Sequence, residues 1–211
     1  NDWGGEWIFG NSIAIGANAL KESSIGQNNI AIGAGSSCSM TIGTNNTAVG
    51  SYTGCSITSG HRNAILGDGA GGGISTETDN TFLGNEAAYY ALGSYNTVVG
   101  SRAFRSGLSP TSPPSGDSNV VIGYRAGFYV EGNSNCNVYL GNCVGPSTGT
   151  TQNCQLYIGI ASGETPLIRG DFGTGQVTIN SQVSASIFSG SFVGNGSGLT
   201  DLNLNGYQTS G

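Results

Sequence analysis

The sequence predicts an all-β protein whose main part is a parallel β-solenoid, or β-roll, of about nine coils of about 17 residues. Two observations predict the coils: a glycine that closes a short aliphatic run recurs at a nearly constant spacing, and an asparagine recurs four residues before it. The composition agrees with them. Glycine supplies 38 of the 211 residues and charged residues only 9%, whereas ordinary domains average about 7% and about 25%.

The repeat is anchored by the glycine that ends each apolar triplet. Consecutive anchor glycines keep a nearly constant interval, with one longer interval from Gly100 to Gly123, and the residue before each is aliphatic. Apolar runs of three or four residues bounded by Gly or Asn are typical of strands and too short for helices. The anchor glycines are Gly16, Gly33, Gly50, Gly67, Gly84, Gly100, Gly123, Gly141 and Gly159.

Stacking explains why each coil repeats the same residues. Equivalent positions on adjacent coils lie roughly 4.8 Å apart, so the asparagines are expected to form an amide ladder and the glycines to supply the positive φ of tight corners. Small residues three positions after each anchor predict a corner packed inward. A second, weaker glycine series, at Gly26, Gly43, Gly60 and Gly93, predicts two short strands per coil.

The residues two positions before the anchor glycines, here called the −2 ladder, predict an interface. Side chains alternate between the two faces of a strand, so if their neighbours point inward these nine apolar residues form an exposed patch. A parallel homotrimer with this ladder on its axis would cover it; the alternative is a strand buried on both faces within one broad coil. The −2 ladder is Ala14, Ala31, Ala48, Ile65, Phe82, Val98, Val121, Tyr139 and Tyr157.

Three segments depart from the repeat, which covers residues 11–164. Residues 1–10 place Trp3 and Trp7 before the first coil, as a cap on the solenoid end or as a segment that docks into the next subunit. Residues 165–211 predict a small C-terminal β-element, with a hairpin followed by a Ser/Gly-rich end.

The third departure is a proline-rich insertion in the longest coil, between Gly100 and Gly123, predicted to be ejected as a loop because proline cannot donate to a strand ladder. It is either a receptor-contacting finger or a tolerated surface insertion. The candidate contact residues are Leu108, Ser109, Pro110, Pro113, Pro114 and Asp117.

Four of the five cysteines lie five residues before a repeat glycine and form two pairs one coil apart. Cys38 pairs with Cys55 and Cys136 with Cys154, at a spacing compatible with disulfides between adjacent coils. The alternative is stacked reduced thiols, and Cys143 is left over.

Composition also limits the function. The net charge is −6 with a single lysine, which argues against nucleic acid as a partner, and no apolar run is long enough to insert into a membrane. One histidine and no stacked acid pairs predict no catalytic residues, no metal site, no cofactor and no enzyme activity.

The repeats also resemble known fibre proteins. "NSIAIGANA" and "NNIAIGAGS" are similar to the head repeats of trimeric autotransporter adhesins, whereas "NTFLGNEA", "NVVIGYRAG", "TPLIRGDFGTGQVTIN" and "FVGNGSGLTDL" resemble tail-fibre and surface-fibre proteins of bacteriophages and large viruses. The resemblance implies a structural and adhesive fibre, a homotrimer at an extracellular or virion surface that attaches to a host glycan or protein. The alternative expectation is a subunit of an open-ended extracellular filament assembled head to tail.

Overall fold

A computed structural model describes residues 10–105, 114–147, 149–160 and 165–183. The chain divides into two compact units, residues 1–181 and 182–211, and the fold concerns the first. Its described residues form eleven strands in one sheet, in sequence order, and they include no helix long and apolar enough to cross a membrane. The strands are β1 (Ile13–Ile15), β2 (Ile30–Ile32), β3 (Thr47–Val49), β4 (Ala64–Leu66), β5 (Thr81–Leu83), β6 (Thr97–Val99), β7 (Val120–Ile122), β8 (Val138–Leu140), β9 (Gln155–Ile158), β10 (Ile168–Asp171) and β11 (Gln176–Ile179).

Strands β1 to β9 stack in parallel and confirm the β-solenoid, with about eight turns. The register is constant, so that Ala31 pairs with Ala14 on one side and Ala48 on the other. The coil-to-coil hydrogen bonds continue beyond the strands: the Tyr52 amide donates to the Ala34 carbonyl at 2.8 Å and the Gly54 amide to the Ala70 carbonyl at 2.9 Å. Each coil is therefore bonded to the next around most of its circumference.

In the part of each coil that the structure describes there is one strand, not the two that the sequence predicted. The remainder, here called the turn wall, is a series of turns in which residues with positive φ interrupt any extended run. Left-handed residues recur two and four positions after the anchor glycine, as in Tyr52 (φ 49°) and Phe104 (φ 50°), and five positions before it, as in Asp79 (φ 60°). The weaker glycine series lies in this wall and starts no strand.

The predicted asparagine ladder is present and buried. From Asn46 onward, the backbone amide of each ladder asparagine donates to the Oδ1 of the preceding one, at 2.9 Å from Asn46 to Asn29 and 3.0 Å from Asn63 to Asn46. The Asn29 amide donates to the Ser12 hydroxyl at 3.0 Å. Each Nδ2 also donates to a carbonyl on the opposite wall, such as Asn46 to Gly60 at 2.8 Å. The ladder therefore forms hydrogen bonds between the side of the coil that carries the strand, here called the strand wall, and the turn wall opposite. Its members are Asn29, Asn46, Asn63, Asn80, Asn96, Asn119 and Asn137.

The predicted outward orientation of the −2 ladder is wrong, because its side chains fill the interior of the coil. From Ala31 to Tyr139, each −2 residue follows a ladder asparagine by two positions, and side chains two positions apart lie on the same face of an extended strand. Both side chains therefore point into the coil. The alternative of a strand buried on both faces is also wrong, since the flanking residues remain at the surface. Ala14 in the first strand is exposed, and the buried members are Ala31, Ala48, Ile65, Phe82, Val98, Val121, Tyr139 and Tyr157.

The increase in side-chain size along the −2 ladder is compensated inside the coil. The coils of Ala31 and Ala48 contribute Met40 and Ile57 to the same core, whereas the coil of Phe82 contributes only Ala91 at the equivalent position. Glycines also make room for the larger residues: a Cβ on Gly71 would lie 3.0 Å from the Phe82 ring. The gradient from Ala to Tyr therefore reflects close packing in one chain, not a growing distance between partners.

We expect Tyr139→Phe to stabilise the protein. Tyr139 is fully buried, and among the described residues its hydroxyl has no hydrogen-bond partner. Burial, together with the neighbouring Tyr157, raises the pKa of Tyr139, so the group stays neutral. Because an unpaired buried hydroxyl costs free energy, its removal should raise the free energy of unfolding by about 1 kcal/mol, as measured by urea denaturation.

The neighbouring Tyr157 provides the control. Its hydroxyl donates to Gln152 Oε1 at 3.4 Å, so Tyr157→Phe removes a partnered hydroxyl and should lower stability. A loss of stability in both variants would contradict the expectation for Tyr139.

The sheet ends in an antiparallel hairpin. Strand β10 pairs with β9 and β11, in both cases antiparallel, so the parallel stack stops at β9. The Asp171 carboxylate closes the hairpin turn by accepting from the Gly173 and Thr174 amides at 2.8 and 3.1 Å. These hydrogen bonds lower the pKa of Asp171. The hairpin predicted for the C-terminal β-element corresponds to β10 and β11.

Candidate functional site

The sheet presents one continuous aliphatic surface to the outside, here called the outer face. It consists of the first and third residues of strands β1 to β8 and the residues paired with them in β9 to β11. Thr47, Thr81 and Thr97 are its only polar members. Besides these it contains Ile13, Ile15, Ile30, Ile32, Val49, Ala64, Leu66, Leu83, Val99, Val120, Ile122, Val138, Leu140, Leu156, Ile158, Ile168, Gly170, Val177 and Ile179.

Many of these side chains are open to solvent. Ile15 is 57% exposed, Leu66 47% and Val177 64%. Ala64 is the smallest side chain in the solenoid part of this face, and a shallow apolar depression of about 250 Å³ lies around it, bordered by Leu66 and Leu83. The outer face therefore offers both a ridge of large aliphatic side chains and a notch into which another apolar group can fit.

The hairpin shows that the aliphatic character of the outer face is not a by-product of the solenoid core. On this side β10 and β11 carry Ile168, Val177 and Ile179, whereas Arg169 and Thr178 lie on the other side. The apolar residues of a two-sided hairpin are expected on whichever side is buried. In this hairpin they extend the outer face, so the apolar side of the hairpin is the one continuous with this surface.

The size of the outer face supports the same interpretation. Eleven strands at about 4.8 Å spacing extend over about 50 Å, and three residues at about 3.3 Å each give a width of about 10 Å. The resulting area of about 500 Å² lies at the upper end of the range for the largest apolar patch of a monomer, about 300–600 Å². No charged residue interrupts it. A surface of this extent and uniformity is typical of a protein–protein interface.

The sequence did not predict the outer face, although it contained the necessary signal. Both candidate sets are apolar, so hydrophobicity alone does not distinguish inside from outside. The asparagine ladder distinguishes the two sides. A row of amides can be buried where every amide is hydrogen-bonded, and the residues two positions later must then also point inward. The residues of the outer face are consequently the strand neighbours of those that were predicted to form an interface.

All five cysteines are free in the structure, which contains neither of the predicted disulfides. The Cys38 thiol donates to the Cys55 carbonyl at 3.6 Å and the Cys55 thiol to the Gly72 carbonyl at 3.8 Å. Burial raises the pKa of Cys55. The two pairs lie in different columns of the turn wall. Cys38 and Cys55 lie five positions after an anchor glycine, whereas Cys136 and Cys154 occupy the left-handed corner five positions before one.

Two of the insertion candidates belong to the coil framework. Pro114 is buried, and its carbonyl accepts from the Leu92 amide at 2.8 Å. The Asp117 carboxylate accepts from the Ser94 amide at 2.7 Å, so that it links adjacent coils. The remaining candidates lie outside the described residues: Trp3, Trp7, Leu108, Ser109, Pro110 and Pro113.

Among the residues that the structure describes, no group of three or more His, Cys, Asp or Glu side chains could hold a metal ion. No protein-family model, no curated protein and no solved structure matches this chain.

Proposed function

We propose that the chain is a structural and adhesive fibre protein of an extracellular or virion surface, which acts by assembling as a parallel homotrimer through its outer face. The observation that carries the proposal is the uncharged aliphatic surface that runs over all eleven strands. The adhesive part of the proposal follows from the resemblance of the repeats to fibre proteins. The fibre performs no catalysis and needs no cofactor.

A parallel arrangement of identical copies suits this surface. Three copies related by an axis parallel to the coil stack place equivalent coils at the same height, where aliphatic rows meet aliphatic rows. Because the outer face contains no charged residue, this arrangement brings no like charges together. Closed cyclic symmetry covers the face in every copy, so assembly stops at a defined number of chains.

The second candidate is a filament assembled head to tail. It is favoured by β1, in which all three side chains are exposed, whereas the middle residues of β2 to β9 are buried. An exposed strand edge can pair with another chain, and contacts that do not close give filaments. Outer-face assembly and end-to-end contact are distinguished by the number of chains in the particle.

Native mass spectrometry with and without reductant tests the proposal. One chain has a mass of 21.2 kDa, and we expect a single species with three times that mass in both conditions. An unlimited series of masses would favour the filament. A monomer would contradict both candidates.

We further expect that the double variant Leu66→Glu with Leu83→Glu dissociates the trimer into monomers. These side chains border the apolar depression on adjacent coils of the outer face. A carboxylate there would lose its hydration on assembly, and burying an unpaired charge is strongly unfavourable. The readout is the assembled fraction at a fixed concentration, by native mass spectrometry or sedimentation.

The matched control is Ile25→Glu with Ile42→Glu. These isoleucines are 68% and 45% exposed, lie one coil apart and belong to no strand. The control therefore carries the same stacked pair of carboxylates away from the outer face, and it should remain trimeric. Equal dissociation of both double variants would show that stacked charge, not the outer face, controls assembly.

A further inference from the structure

Three consecutive coils bring charged and aromatic side chains together on the turn wall, away from the outer face. The residues two positions after the anchor glycines stack in one column: Glu86, Arg102 and Arg125. Their backbones are linked from coil to coil, with the Arg102 amide donating to the Asn85 carbonyl at 2.9 Å and the Arg125 amide to the Ser101 carbonyl at 3.0 Å.

A second column lies three residues further along each coil and consists of Tyr89, Arg105 and Phe128. Tyr90 lies beside Tyr89, with the two rings edge to face at 4.6 Å. The Arg105 guanidinium carbon is 5.7 Å from the Tyr89 ring centre and 5.5 Å from that of Tyr90. The two columns together with Tyr90 are called the aromatic–arginine patch.

The patch contains three guanidinium groups but one carboxylate. Arg102 Nε donates to Glu86 Oε2 at 2.8 Å, and Arg105 Nε lies 3.0 Å from the same oxygen. Arg105 Nε is buried and, among the described residues, has no aligned hydrogen-bond acceptor. Arg125 forms no ion pair within the described part of the chain; its guanidinium carbon lies 4.0 Å from the Phe128 ring centre.

This concentration of positive charge is unusual for the chain. The protein has six Lys and Arg residues in total and a net charge of −6, yet three of these six occupy adjacent positions in the patch. Like charges that face each other across neighbouring strands or coils are destabilising. One internal carboxylate does not balance three guanidinium groups, so the patch is complementary to an anion from outside the chain.

We propose that the aromatic–arginine patch binds a carboxylate-bearing saccharide. A planar guanidinium matches a carboxylate through two parallel hydrogen bonds, which assigns the sugar carboxylate to Arg125 and Arg102. The aromatic rings of Phe128, Tyr89 and Tyr90 supply flat apolar surfaces for the C–H faces of the sugar. Aromatic walls with a few convergent polar groups are the usual composition of a small-ligand site.

The inference rests on the proposed function, because it gives the adhesive fibre a class of receptor. It also places the attachment site on the turn wall of the fifth to seventh coils, next in sequence to the proline-rich insertion that begins after Arg105. Arg102 is half exposed, with 49% of its side chain open to solvent, so a ligand can reach the guanidinium column while the outer face is occupied by other copies.

Titration calorimetry of the purified assembly tests the inference with sialyllactose and trigalacturonic acid as carboxylated probes and lactose as the neutral counterpart. We expect a carboxylated probe to bind more tightly than lactose. Arg125→Gln should weaken that binding by about tenfold or more, as expected for the loss of a charge-assisted hydrogen bond. Phe128→Leu keeps the charge and should weaken it less.

Arg62→Gln is the matched control. Arg62 is also an arginine with a left-handed backbone, at φ 56° compared with 52° for Arg125, but it lies in another column and is paired with Asp79 at 2.7 Å. This variant should bind as the unmodified protein does. Absence of binding by both carboxylated probes at millimolar concentration, equal binding of lactose, or equal losses in Arg62→Gln and Arg125→Gln would each overturn the inference.

The same samples distinguish this inference from the proposed function. A three-chain mass without saccharide binding would contradict the receptor site alone. A monomer that binds sialyllactose through Arg125 would contradict the trimer alone. The mass of the Arg125→Gln assembly should correspond to the same number of chains as that of the unmodified protein, because the patch shares no residue with the outer face.

Discussion

Replacing Gly84 with alanine should destabilise the solenoid by about 4 kcal/mol or more, a loss at the upper extreme for single substitutions. Gly84 has φ +138°, a conformation that residues with a side chain rarely adopt. A Cβ there would lie 2.7 Å from both the carbonyl carbon and the carbonyl oxygen of Gly100 on the next coil. Because both contacts are to backbone atoms of a stacked coil, no rotamer change relieves them. Thermal or urea unfolding followed by circular dichroism measures the loss.

Gly175→Ala separates this close contact from the general cost of a left-handed alanine. Gly175 also has positive φ, at +71°, but a Cβ added there meets nothing within 4 Å. The expected cost is only about 1 kcal/mol, from the backbone conformation itself. If both variants lost the same stability, the contact between anchor glycines would not limit the coil spacing.

The coil period could be predicted from the sequence because backbone contact imposes it. A Cβ on any anchor glycine from Gly16 to Gly141 would lie too close to the backbone of the next anchor, as from Gly16 to Gly33 and from Gly84 to Gly100. Other residues are therefore excluded, and the glycine spacing stays recognisable in the sequence. The buried asparagine ladder was predicted for a related reason. A ladder position without an amide would leave the neighbouring asparagines without hydrogen-bond partners. Asparagine is therefore needed in coil after coil, and its repetition is visible in the sequence.

The course of the turn wall could not be predicted in the same way. Its left-handed corners are formed by residues such as Tyr52, Leu20 and Ala88, which have no preference for positive φ. Stacking on the adjacent coil imposes this conformation, and the coil-to-coil hydrogen bonds offset its cost. Local sequence therefore suggested a second strand where the structure has turns.

The aromatic–arginine patch was missed because its residues are scattered in the sequence. Glu86 and Arg102 are one ordinary coil apart, whereas Arg125 follows Arg102 only after the longest coil. They become neighbours once the insertion after Arg105 is removed from that coil. The outer face was missed for a different reason. Every residue of β1 to β8 is apolar or threonine, so only the polar asparagine ladder distinguishes the inner face of a strand from the outer one.

The second large effect is expected for Asn46→Leu, which interrupts the asparagine ladder without changing the size of the side chain greatly. Asn46 Nδ2 donates to Asn29 Oδ1 at 3.1 Å and to the Gly60 carbonyl at 2.8 Å, while Asn46 Oδ1 accepts from the backbone amide and Nδ2 of Asn63, both at 3.0 Å. Leucine removes all four interactions. Each buried group left without a partner costs about 1–3 kcal/mol, so the free energy of unfolding should fall by about 3 kcal/mol or more.

Asn85→Leu is the same substitution at an exposed position. Asn85 Nδ2 makes only 3.3 Å contacts with Asp68, so its replacement should change stability by about 0.5 kcal/mol or less. The two variants together separate the loss of the buried amide ladder from the general effect of replacing asparagine by leucine in this chain. A small effect at Asn46 would mean that backbone hydrogen bonds alone hold adjacent coils in register. A large effect at Asn46 alone would assign that role to the buried amides, which also join the strand wall to the turn wall.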